Sequence, residues 1–160
     1  MVNYIFNLLF GLMALHPLVP NHATTIGSTN MFVAKPVLLT WEMLFKVIMV
    51  EKYSTRYKMK VMAPEFDITL QKLNTREVTI SGFVIPTGIN SNIFALSQNP
   101  FSSCYFCGNG GPETVMSIKY NGKPPKYKTD DYITLKGVFQ LNSTDINELI
   151  YILKNAVQVK

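Results

Sequence analysis

Val78-Thr79-Ile80-Ser81-Gly82-Phe83-Val84-Ile85-Pro86 (VTISGFVIP) is the stretch whose reading decides the fold. Branched and aromatic residues make it a strand, and Gly82 interrupts it. A second stretch, Ile133–Phe139 (ITLKGVF), echoes its first seven residues and places Gly137 at the same fifth position. A glycine inside a strand marks a bulge or sharp bend, the device that curls a sheet into a small barrel. Two bent strands with three shorter ones predict a mainly β protein, built as a five-stranded, partly open barrel of the OB type. The shorter strands are expected near 57–62, at Ile93–Leu96 and at Thr114–Tyr120. Asn121-Gly122 is a turn signal, and Pro124-Pro125 keeps the chain that follows out of any central strand.

Helices are expected at both ends of this β region. Trp41, Leu44, Phe45 and Ile48 recur at i, i+3, i+4 and i+7 behind Thr40, a capping residue, which predicts a helix over 41–49 with Trp41 in the core. Ser143–Ala156 shows a similar stripe in Ile146, Leu149, Ile150 and Leu153. Asn142 or Ser143 can cap it, and Asp145 and Lys154 suit the two ends of the dipole. This pattern predicts a closing C-terminal helix.

Working outward to the N-terminus, no charged side chain precedes Lys35. Leu8–Leu15 (LLFGLMAL) is too short to span a membrane, which needs ~20 residues, and matches the apolar centre of a secretory signal. Residues 1–23 are therefore expected to be a signal peptide or apolar leader, 24–40 a linker and 41–157 a single domain. Export to the periplasm or cell envelope follows, with membrane contact only through an uncleaved leader. The whole chain of 160 residues is 48% hydrophobic and 16% charged, which suits a globular domain and not a disordered one. Its 15 basic and 10 acidic residues give a mild net charge of +5. Lys119, Lys123, Lys126 and Lys128, interleaved with Tyr120 and Tyr127, resemble a single-strand-binding patch, but export argues against a nucleic-acid partner.

Asn99–Glu113 (NPFSSCYFCGNGGPE) has the composition of a loop yet carries Phe101, Tyr105 and Phe106. Rings in such a loop suggest that it folds onto the barrel. Cys104 and Cys107 admit three readings. They can supply half of a tetrahedral zinc site, with Gly108 allowing close approach and His16, His22, Glu113, Asp130 or Asp131 completing it. They can form a redox pair, although Gly108-Asn109-Gly110-Gly111-Pro112 cannot open the long helix of a thioredoxin-like motif. Or they can staple the loop as a structural disulfide. Glu113 is the acidic residue expected nearest the sulfurs, while Gly108, Gly111 and Pro112 shape the loop. No nucleophile elbow, phosphate loop or HExxH motif is present, and adjacent Asp130-Asp131 reads as a solvated turn.

From Trp41 through VTISGFVIP, the CYFCGNGGPE segment, Lys128–Asp130 (KTD), Thr134–Gly137 (TLKG) and Leu141–Ala156, the chain resembles a family of small uncharacterised exported proteins of Gram-negative bacteria, often lipoproteins. The lipoprotein cysteine of those relatives is absent here. More distantly, the layout is similar to a domain-of-unknown-function family with Cys-Ile-His and prolines in the equivalent loop, some members of which accompany zinc-linked ABC transport systems. The chain is read as a non-catalytic binding protein whose Cys104–Cys107 loop takes a metal ion or a partner, and the resemblance implies no established activity. It points to zinc as the candidate cofactor, to Cys104, Cys107 and Glu113 as candidate ligands, and to a cell-envelope protein, such as a transporter component, as partner. A thiol–disulfide redox protein is the alternative.

Overall fold

The computed structural model describes residues 35–87 and 94–159. The leader expected over 1–23, with His16 and His22, lies outside them. The short strand β1 (Val37–Leu38) and helix α1 (Trp41–Leu44) are followed by a hairpin, β2 (Val47–Ser54) and β3 (Met59–Phe66). Helix α2 (Ile68–Leu73) then leads into β4 (Glu77–Pro86), β5 (Phe94–Ser97), β6 (Val115–Tyr120), β7 (Tyr132–Leu141) and β8 (Tyr151–Val159). The last five strands pair in the order β4-β5-β6-β8-β7 and back to β4, so the sheet closes on itself. All pairings around that ring are antiparallel except β6–β8, which is parallel. A five-stranded barrel with its third and fifth strands parallel is the OB arrangement, and the protein is mainly β with only small helices.

Both glycine-bearing strands are neighbours, β4 and β7, with Gly82 opposite Ile133 and Gly137 opposite Val78. Each glycine sits where another backbone passes close by. A Cβ on Gly82 would lie 2.6 Å from the Ser97 carbonyl oxygen, and one on Gly137 would lie 2.7 Å from that of Lys154. Neither has a positive φ, so close approach and not dihedral strain selects glycine here. At Gly137 the β7–β8 register also shifts, and opposite it Asn155 of β8 takes a φ of 52°.

The core fills the barrel from both sheet and helices. Leu44 and Leu70 are fully buried, each worth about 2 kcal/mol of transfer from water. Trp41 is also in the core, as its periodicity predicts, and its Nε1–H donates to the Ser81 carbonyl at 2.8 Å. Thr40 caps α1 through its hydroxyl, while Asp67 caps α2 by accepting from the Thr69 and Leu70 amides.

Two helical expectations are corrected. The helix predicted over 41–49 stops at Leu44, and Ile48 belongs to β2, where it is exposed. Val47, Ile48 and Val50 favour the pleated hairpin over a second helical turn. The helix predicted over Ser143–Ala156 is a loop followed by β8. Asn142 does not cap a helix. Its Oδ1 accepts from the Thr144 and Asp145 amides, and its Nδ2 donates to the carbonyls of Asp145, Glu148 and Leu149, which folds 142–150 into a loop. The β-branched and aromatic run Ile150-Tyr151-Ile152 then continues as strand, and the Tyr151 hydroxyl donates to the Leu44 carbonyl at 2.6 Å. The chain joins the sheet at Val37, within the segment expected to be a linker, because β1 pairs in parallel with β4.

Candidate functional site

The cysteine loop does fold onto the barrel, as two single turns of 3-10 helix, Phe101–Ser103 and Tyr105–Cys107. Its first turn is fixed by Asp130, whose carboxylate accepts from the Phe101 amide at 2.7 Å. Asp130 was legible in the sequence only as a solvated turn, since its partner lies 29 residues away. Its backbone has a φ of 68°, and beside it the Asp131 carboxylate accepts from the Lys128 amide. The second turn ends at Gly108, whose φ of 78° reverses the chain. Asn109 closes the loop by donating from Nδ2 to the Ser102 carbonyl.

This scaffold sets the two sulfurs 4.0 Å apart as free thiols. Cys104 is fully buried and Cys107 is exposed. The Cys107 thiol donates to the Phe101 carbonyl at 2.9 Å. Removal of water from around its sulfur, then the adjoining Cys104 thiol, push the Cys107 thiol above its ordinary value. A catalytic redox cysteine needs the opposite shift.

Glu113 is not brought to the sulfurs as a third ligand. Its carboxylate lies over Gly111, where an added Cβ would collide with it. The phenol of Tyr151 is pushed upward first by burial and then by the Glu113 and Asp67 carboxylates. Among the described residues no cluster of three or more His, Cys, Asp or Glu is placed to hold a metal ion. Pro112 starts a third 3-10 turn, Pro112–Thr114, that leads into β6.

The loop's rings have a clear destination. Tyr105 and Phe106 meet edge to face, 5.4 Å between centroids, and border a groove of about 760 Å³. The β2–β3 hairpin forms one wall with Met49, Tyr53 and Met62, and the outer face of β5 and β6 forms the other. The 142–150 loop lies across one side, held to the hairpin by the Tyr57 hydroxyl, which donates to the Asp145 carboxylate at 3.3 Å. Asn147's amide, with Arg56 assisting, keeps the Asp145 carboxyl below its ordinary value. Charges on the groove walls are largely matched within the protein: Lys119 pairs with Glu148 at 2.6 Å, and Lys52 with Glu65 at 2.9 Å. Lys119 is thereby taken from the basic patch expected of a nucleic-acid surface. The groove was invisible in the sequence, because it needs the hairpin and the 142–150 loop, both misassigned there in part to helices.

No family model matches the chain, and no curated protein matches it. Among solved structures, a DUF3299 family protein from Pseudomonas aeruginosa PAO1 is similar over 79% of this chain and 97% of its own, at 12% identity and a TM-score of 0.47.

Proposed function

We propose that the protein is a binding protein whose groove takes a small, predominantly apolar molecule. The observation that carries this reading is position. In barrel order β5 and β6 are the second and third strands, and 142–150 joins the fourth to the fifth. That strand pair and that loop form the face on which OB barrels hold ligands. A volume of about 760 Å³ suits a small molecule. Met49, Met62, Phe94 and Phe106 give the groove apolar surface beside polar residues such as Ser54, Thr55 and Asn142. Its internally paired charges favour an uncharged, largely apolar occupant over a polyanion.

The neutral apolar leader supports export, which would put such binding in the periplasm or cell envelope. Cell fractionation with mass measurement of the recovered chain tests that location. For the groove, the neutral dye N-phenylnaphthylamine is the probe. Its fluorescence should rise on binding, and Met62→Glu should weaken it about tenfold by placing a charge on the wall. Equal affinity in Met62→Glu and wild type, with both folded, would refute the groove as a binding site.

A further inference from the structure

Cys104 and Cys107 are both free thiols, one buried and one exposed. They stand at the base of the aromatic pair that borders the groove, with only Tyr105 and Phe106 between them. Their sulfurs lie 4.0 Å apart, and a bond at about 2.05 Å requires the Cys107 thiol to leave the Phe101 carbonyl and turn toward Cys104. We propose that this pair is a reversible disulfide site, oxidised by low-molecular-weight disulfides, whose closure locks Tyr105 and Phe106 against the groove and strengthens apolar ligand binding. The effect on ligand rests on the groove reading above; the thiol chemistry does not.

The exchange proceeds in two balanced steps. Exposed Cys107, as thiolate, attacks one sulfur of the small disulfide RSSR, forming a mixed disulfide and expelling RS⁻, which takes up the proton that Cys107 released. Buried Cys104, losing its own proton, then attacks the Cys107 sulfur and expels the second RS⁻, which is protonated in turn. Two protein thiols and RSSR become one protein disulfide and two RSH. The order of attack follows exposure, since solvent reaches Cys107 and not Cys104. The raised Cys107 thiol makes the first step slow at neutral pH and faster as pH rises.

Binding should respond because closure between Cys104 and Cys107 restricts the two residues between them, Tyr105 and Phe106, whose rings border the groove. Immobilising the aromatic pair in advance should tighten N-phenylnaphthylamine by about fivefold. The test uses the full chain, reduced and then treated with glutathione disulfide. The wild type should lose both titratable thiols and two hydrogens of mass, with no glutathione retained. Cys104→Ser should stop at a glutathione adduct on Cys107, and folded Cys107→Ser should stay unmodified. Dye affinity should rise on oxidation in the wild type alone. Accumulation of a stable glutathione adduct in the wild type, or equal reactivity of the two single variants, would overturn the disulfide site. So would zinc retained by the reduced wild type and lost in each variant. Complete oxidation with unchanged dye affinity would overturn the control of the groove. Absence of dye binding in both states, with the thiol chemistry as described, would remove the groove reading and leave the disulfide site standing alone.

Discussion

At the seam between β7 and β8, a Cβ on Gly137 would sit 2.7 Å from the Lys154 carbonyl oxygen; in the cysteine loop, a Cβ on Gly108 would meet nothing within 4 Å. Gly108 is held instead by its own backbone, at a φ of 78°. The first glycine is demanded by its neighbours and the second by its dihedral. This contrast separates a region where every atom constrains the others from one shaped by a few hydrogen bonds. The barrel cannot absorb an added methyl without moving a backbone. At Gly108 the loop has open space for it and carries only the cost of its own backbone dihedral.

The largest expected effect lies on the barrel side. Gly137→Val or Gly82→Val should destabilise the protein by about 3 kcal/mol, read as a lowered denaturation midpoint, because the methyls would have to displace a strand carbonyl. A cost no larger than that of Gly108→Ala would erase the contrast. Next comes Tyr151→Phe, which strips the Leu44 carbonyl of its buried donor and should cost about 1–2 kcal/mol by chemical denaturation. Gly108→Ala should cost about 1 kcal/mol, from αL strain alone, and Gly108→Asn less, since Asn tolerates that region. A Val-sized penalty there would mean that the loop is packed as tightly as the seam.

The smallest effect is one of pH. Asp67 is held below its ordinary value of 3.8, chiefly by the Leu70 amide it caps. A carboxyl lowered in the folded state contributes stability that is present above 3.8 and lost as pH falls through the folded value. The acid limb of a stability–pH curve should therefore be shallower for Asp67→Asn than for wild type. Identical limbs would show that the α2 cap does not couple to proton binding.

Legibility in the sequence divides along the same line. VTISGFV and ITLKGVF revealed the barrel because their glycines report a backbone approach that no other residue permits, and the two strands are indeed partners. The closing strand was hidden by coincidence. Ile146, Leu149, Ile150 and Leu153 satisfy a helical period, while β8 itself does not alternate cleanly, since a bulge at Asn155 breaks its inside–outside rhythm. The short α2 carries only a cap and two inward leucines, Leu70 and Leu73, too little to register as a period. At the candidate site, the spacing of Cys104 and Cys107 left three readings open, and the sulfurs lie 4.0 Å apart as free thiols. The direction of Glu113 was left open by the glycine-rich turn, and here its carboxylate folds back over Gly111. Asp130 and Asn142 shape the site through bonds to backbone amides, which no side-chain pattern announces.

The parallel pairing of β6 with β8 has a consequence for how the chain folds. β8 is the last of the barrel strands to leave the ribosome, and it alone bridges β6 and β7. Until it arrives, those two strands present unpaired edges, and the bond from Tyr151 to Leu44, spanning 107 residues, cannot form. Closure therefore waits on contacts of high sequence separation, which slow folding. During that interval the open edges of β6 and β7 are templates for any extended segment of another nascent chain.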